Sequence, residues 1–391
     1  MRTPNFGFQI INKRSSIKNS IMRHKGNNIK ISVNNIDLSY NDEGPEGAPI
    51  IIFIHGFPLN KSMWDKQVNA LKNNYRVIAY DIRGHGNSEV GAIDFSIDLF
   101  VNDLLRFMDA LKIEKTILCG LSMGGYIALN AIENHPERFS ALILSDTNCT
   151  ADTPESKEKR MLTIISIKEN GVEKLADDLL PNLFAPESFK SNSEEIVAVK
   201  EMIVTTTILS LNKSLHALAN RKETCSRLAE IKVPVLILVG KDDKITPPEV
   251  ASAMQEKIEG SQLSIIEHAG HLSNLENTDE FNTQLKKFID SKNQNPNKLQ
   301  KEIQSVFEIQ ITNKKASFDK IEKDLNSKIM KITMVIKDKY PELVKYLDEM
   351  PVTIPVEKKQ EITLKNLGGY YEALNSLLTK YKLERPNIEN N

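Results

Sequence analysis

Thr116-Ile117-Leu118-Cys119-Gly120-Leu121-Ser122-Met123-Gly124-Gly125 is the stretch on which the reading of this chain turns. A short apolar run, Thr116–Cys119, leads straight into Gly-x-Ser-x-Gly, and a helical pattern, Met123–Ile132, follows at once. Strand before and helix after are the setting in which this pattern holds a serine on a tight, strained turn with its hydroxyl exposed. Small residues are needed on either side because such a turn crowds its neighbours. The helix N-terminus behind Ser122 favours negative charge developing there. Five residues are a modest signal alone, and the flanking strand and helix make it a strong one.

Outward from this turn, more apolar runs recur: Ile50–Ile54, Val77–Tyr80, Ala141–Leu144 and Val235–Val239. Strands this uniformly apolar are covered on both faces, as in a parallel sheet flanked by helices. Helical patterns separate them: Ser62–Leu71, Phe95–Leu111, Pro248–Ile258 and Thr278–Ile289. Upstream, Ile29–Val33 and Ile36–Tyr40 alternate at period two around Asn34-Asn35, an antiparallel hairpin that makes the sheet mixed. Residues 147–226 break the alternation and read as helix only, too long for a plain connection. They predict a helical cap over the sheet.

A serine needs a base. His268 and His271 both follow the last strand-like run, Gln262–Ile266. His271, in a loop after Gly270, is the choice; His268 sits nearer the strand and reads as a packing residue. The base needs a carboxylate to fix its tautomer. Asp243, three residues after Gly240, is chosen, with Asp242 in reserve and Asp146 a third candidate. Ser122, Asp243, His271 is then the order of nucleophile, acid and base along the chain. Oxyanion donors are expected from the backbone N–H of Met123 and of Phe57, in His55-Gly56-Phe57-Pro58; Pro58 has no N–H to give. His55, Gly56, Gly120 and Gly124 support these turns. In Asp81-Ile82-Arg83-Gly84-His85, no further ligands complete a metal site around Asp81 and His85. Arg83 and Asp81 are expected instead to form a buried network bracing the loops. No metal and no cofactor is expected.

The chain has 391 residues, and 51 Lys+Arg against 52 Asp+Glu give a net charge of −1. That balance argues against nucleic-acid binding through a global positive field. No apolar run is long enough for a membrane span. Cys119, Cys149 and Cys225 cannot build a disulfide framework, and the latter two have no evident partner, which points to a reducing compartment, the cytoplasm. Residues 1–28, basic in composition, read as a disordered leader, with synthesis starting at Met1 or at Met22. The expected division is core at 29–146 and 227–290, cap at 147–226, linker at 291–297 and helical extension at 298–391. In that extension, apolar residues recur at steps of three and four from Phe318 to Ile336 and from Leu364 to Tyr381. Such stripes serve packing within a domain first, and a protein partner or self-association second.

Together, His55-Gly56-Phe57-Pro58, Asp81-x-Arg83-Gly84-His85-Gly86-x-Ser88, Gly120-x-Ser122-x-Gly124-Gly125, Gly240-x-x-Asp243 and Gly270-His271 resemble the α/β-hydrolase fold superfamily over roughly residues 29–290. Within it the chain is similar to the small bacterial esterases and lactonases, of the 3-oxoadipate enol-lactonase and pimeloyl-carrier-protein methyl esterase kind. The resemblance implies a serine hydrolase acting on a small ester or lactone. Relatives with an aspartate nucleophile do not fit Ser122. A small-molecule receptor or sensor with slow or single turnover is the alternative on the same fold, and peroxidase-type side activity a third use. The tail after Asp290 lies outside the resemblance. Leu179, Leu180, Leu183 and Phe184 are candidates to line an apolar acyl site.

Overall fold

A computed structural model describes residues 26–292, 318–349 and 364–384. The chain divides into two compact units, Met1–Asn293 and Gln294–Asn391. The leader up to residue 25, most of the linker and the first part of the extension lie outside the described residues.

The first unit is built on eight strands: β1 (Gly26–Val33), β2 (Ile36–Glu43), β3 (Ile50–Ile54), β4 (Arg76–Tyr80), β5 (Thr116–Leu121), β6 (Phe139–Ser145), β7 (Val235–Gly240) and β8 (Gln262–Ile266). They form one sheet in the order β1-β2-β4-β3-β5-β6-β7-β8. β1 and β2 pair antiparallel, as do β2 and β4, and every pair from β4 to β8 is parallel. The hairpin turn needs two left-handed residues, and Asn34 (φ 47°) and Asn35 (φ 59°) supply them. β1 starts three residues earlier than the sequence suggests, so Gly26–Asn28 belong to the sheet and not to a leader.

Alternation along the central strands sorts their side chains into two layers. Ile52, Ile54, Leu118, Leu142 and Leu144 enter one core with α2 (Ile97–Ala110), α3 (Met123–Asn134) and α8 (Pro248–Lys257). Ile51, Phe53, Ile117, Cys119, Ala141 and Ile143 enter the other, with α1 (Asp65–Leu71) and α10 (Thr278–Lys292). The continuous apolar runs thus reflect burial on both sides.

Between β6 and β7 the chain makes a helical insertion: α4 (Pro154–Leu183), α5 (Ser188–Ser191), α6 (Ser193–Val204) and α7 (Ile208–Ala219). Gly171 (φ 85°, ψ 177°) divides α4 into two helical stretches. Leu180, Leu183 and Phe184 are buried in the second core layer beside Leu121 and Leu272.

Two expectations are corrected here. Cys149 and Cys225 do have a partner: they form a disulfide across the two roots of the insertion. Thr224 N–H donates to the Cys149 carbonyl at 2.8 Å, holding the two roots side by side. The pairing was hidden because it exists only when a largely helical insertion returns to where it began, across a sequence separation of 76. It removes the cysteine argument for a reducing compartment. Cys119 is free and buried.

The second correction concerns Asp81 and Arg83. Both are buried, but not with each other. Asp81 accepts from Lys61 Nζ at 2.6 Å and from the N–H groups of Lys61 and Asn87 at 2.8 and 2.9 Å. Arg83 reaches across to α2, where Nε and Nη2 each donate to Asp103 at 2.7 Å. Asp103 lies on the apolar face of its helix, with Phe100 one turn before it and Phe107 one turn after. Replacing Asp103 by Ala would leave a guanidinium buried without its charge partner, and breaking such a pair costs about 3–5 kcal/mol. The urea midpoint of Asp103→Ala should fall accordingly; an unchanged midpoint would show that water reaches Arg83.

The second unit is helical over Phe318–Lys339, Val344–Glu349 and Leu364–Glu384. Leu325, Ile329, Ile336, Tyr340 and Leu343 pack against Leu367 and Leu374. These described parts of the two apolar stripes therefore pack on each other within the unit. Among the described residues, no helix is long and apolar enough to cross a membrane.

Candidate active site

Ser122 stands between β5 and α3 at φ 53°, ψ −113°, a conformation that costs a non-glycine residue roughly 1–3 kcal/mol. What over-determines it is close packing from both sides. A Cβ on Gly120 would lie 2.2 Å from the Gly124 carbonyl oxygen, and one on Gly124 would lie 2.3 Å from the Ile54 carbonyl oxygen. The first spacing lets the turn close on itself, and the second lets α3 sit against the end of β3. The Ser122 carbonyl accepts from Gly125 N–H at 2.9 Å, Tyr126 N–H at 3.1 Å and Thr147 Oγ at 2.8 Å.

His271 Nε2 lies 2.9 Å from Ser122 Oγ, and Nδ1 lies 2.8 Å from Asp243 Oδ2. The three residues come from the ends of β5, β7 and β8, neighbours or near neighbours in the sheet, so the topology converges them at one edge. Asp243 is fixed in turn. Its Oδ1 accepts from the N–H groups of Ile245 and Thr246 at 2.8 and 2.9 Å, and its Oδ2 from Thr246 Oγ at 2.7 Å.

The other candidates are placed elsewhere. Asp242 is exposed, and its N–H donates to the Ala269 carbonyl. His268 is exposed near Glu187 at 3.3 Å. Asp146 is fully buried and accepts from Gly240 N–H at 2.8 Å, Ser145 Oγ at 2.7 Å and Ser273 Oγ at 2.6 Å. It ties the ends of β6 and β7 to the segment after His271, and makes no hydrogen bond to the histidine.

Burial would by itself strip the proton from His271, but the charge and hydrogen bond of Asp243, with the charges of Asp146 and Glu276, raise its pKa above the ordinary 6.5. Burial pushes Asp243 up, yet His271 and Thr246 outweigh that and hold it below the usual carboxylate range. Asp146, deprived of water and facing the Asp243 charge, is pushed up to about 7.

The loop after β3 lies against the same turn. A Cβ on Gly56 would be 3.4 Å from Ser122 Cβ. His55 locks this loop: Nε2 accepts from Ile82 N–H at 2.9 Å, so Nδ1 carries the proton and donates to the Gly56 carbonyl at 2.9 Å. Burial and the neighbouring His85 keep His55 well below its usual pKa, so it stays neutral. Phe57 follows directly, through a cis bond to Pro58. Met123 is the first residue of α3, where N–H groups have no acceptor within their own helix.

Sequence reasoning missed Thr246, Ser273 and Lys61. Their signal is position only, three residues after Asp243, two after His271 and three after Pro58. Nothing in their type marks them.

A family model described as alpha/beta hydrolase fold matches residues 49–278. The 3-oxoadipate enol-lactonase 1 of Acinetobacter baylyi is 32% identical over 244 residues, which are 62% of this chain and 90% of that protein. Among solved structures, a thermophilic esterase from Thermogutta terrifontis is 30% identical with a TM-score of 0.64, over 68% of this chain and 98% of that one. The enol-lactonase from Burkholderia xenovorans is 28% identical with a TM-score of 0.63, over 67% and 99%. The chain belongs to the α/β-hydrolase fold family, and its homologues support a hydrolase.

Proposed function

We propose that this protein is a serine hydrolase of small carboxylic esters or lactones. Ser122 Oγ attacks the carbonyl carbon while His271 Nε2 takes its proton and then returns it to the leaving oxygen. Asp243 holds the imidazole tautomer and stabilises the imidazolium. The N–H groups of Phe57 and Met123 receive the oxyanion. Water, deprotonated by His271, then cleaves the acyl-enzyme and frees Ser122. The observation that carries this reading is the unbroken relay of 2.9 and 2.8 Å from Ser122 through His271 to Asp243. An assembled relay favours turnover over the receptor reading. The helical insertion serves as a cap over the substrate.

A fluorophosphonate probe tests the relay. Labelling of the wild type but not of His271→Ala is expected. No labelling of the folded wild type would overturn the reading.

The acid limb of the rate profile follows from the charges. Below its pKa His271 already holds a proton and cannot accept that of Ser122, so kcat/KM should fall as pH drops through a midpoint above 6.5. Asp146→Asn removes a negative charge that favours the imidazolium, and should move that midpoint down. A midpoint that stays in place or rises would show that Asp146 is not charged when the enzyme works.

A further inference from the structure

Glu276 ends the short helix α9 (Ser273–Glu276), five residues after His271, and its side chain turns back. Oε1 accepts from Gly270 N–H at 2.8 Å, on the residue before the histidine. Oε2 accepts from Ala185 N–H at 2.7 Å and from Ser188 Oγ at 2.6 Å, both in the helical insertion. The Glu276 carbonyl takes a further bond from Asn192 Nδ2 at 3.1 Å. One carboxylate thus holds two segments that are about 85 residues apart in sequence and have no covalent reason to move together.

The segments also touch. A Cβ on Gly270 would lie 2.7 Å from Ala185 N and 2.9 Å from the Phe184 carbonyl carbon, so only glycine permits the approach. Ala185 and Ser188 are buried. All three donors point at one group, and a neutral acid would meet one of them with its own proton. Burial raises the Glu276 pKa, while the bonds from Ser188, Ala185 and Gly270 pull against that.

We propose that Glu276 is a positioning residue that clasps the helical insertion to the His271 loop, so that displacement of the insertion displaces the base. Its rate consequences rest on the function proposed above; its mechanical content does not. Anything that shifts residues 184–192, a substrate entering beneath the insertion included, is then transmitted to Gly270 and to the 2.9 Å contact with Ser122. The insertion in this view does more than cover substrate. It takes part in setting whether the base is in place.

The test uses the full chain and three variants: Glu276→Gln, Ser188→Ala and the double variant. The amide of Glu276→Gln puts an N–H against either Gly270 or Ala185. Ser188→Ala changes no charge and touches neither Ser122, Asp243 nor His271. Two quantities are read, with folding checked by the urea midpoint: amide hydrogen exchange over 184–192 and 268–272, and kcat per serine counted by fluorophosphonate labelling. With Glu276→Gln, exchange in both segments should rise at least 10-fold and kcat fall 10- to 100-fold. With Ser188→Ala, exchange over 268–272 should rise as well and kcat fall 3- to 10-fold. The double variant should be no slower than Glu276→Gln within twofold, since both act on one clasp. The proposal is overturned if Glu276→Gln loosens only one segment, or if Ser188→Ala leaves 268–272 and kcat as they were. Should Glu276→Gln fail to fold, Ser188→Ala decides alone. Should the wild type neither label nor hydrolyse esters, the hydrolase reading falls and the exchange measurements still decide the clasp.

Discussion

Ser122→Ala should lower kcat by about 10⁶-fold, the loss seen when the nucleophile of a serine relay is removed, and equivalent to roughly 8 kcal/mol of barrier. The size follows from what the side chain does in the proposed reaction. Without Oγ no acyl-enzyme forms, His271 has no proton to take, and only the oxyanion donors and substrate positioning remain. The fold should tolerate the change, because among the described residues Ser122 Oγ bonds only to His271, while its backbone is held by Gly125, Tyr126 and Thr147. Steady-state hydrolysis of an ester panel, with the urea midpoint as control, gives the answer. Turnover within tenfold of wild type would mean that another group is the nucleophile, since neither His271 nor Asp243 can replace a lost hydroxyl in forming an ester.

Asp243→Asn is expected to cost about 10⁴-fold in kcat, through the tautomer of His271. Oδ1 takes two backbone N–H groups, so the carbonyl oxygen of an asparagine would stay there. Its NH₂ must then occupy the place of Oδ2, 2.8 Å from His271 Nδ1. Two donors cannot face each other. The imidazole would move its proton to Nε2, where it can no longer accept from Ser122. Asp146 offers no rescue, because Gly240, Ser145 and Ser273 already occupy its oxygens. Nitrogen NMR of His271 would report the tautomer directly, and a variant retaining more than a tenth of wild-type kcat would overturn this account.

The parts of this molecule that the sequence made legible are those fixed by local pattern. Continuous apolar runs named β3 to β7 because double-sided burial leaves few polar positions in them, and period-two alternation named the hairpin of β1 and β2. Gly120-x-Ser122-x-Gly124 named the turn because its crowding excludes every larger residue. Position after a strand end singled out Asp243 and His271, and the structure brings these two into contact. What stayed hidden depends on chain return. Arg83 meets Asp103, Lys61 meets Asp81, and Cys149 meets Cys225 through tertiary closure, and no spacing along the sequence encodes any of these. Asp103 alone left a trace, an acid on the apolar face of a helix. The described part of the extension is helical as read, and its buried apolar residues pack on one another, the first use expected of such stripes.

The Cys149–Cys225 bond gives the oxidised molecule the topology of a ring carrying two tails. Ser122 lies on the tail before the ring, Asp243 and His271 on the tail after it. A protease that cuts the backbone once anywhere between Thr150 and Thr224 therefore opens the ring without dividing the molecule. The two polypeptides stay joined by sulfur, and β6 still pairs with β7. Ser122 and His271 therefore stay within one molecule in a nicked protein, as in the intact one. Only a thiol reductant turns that single cut into two separable chains.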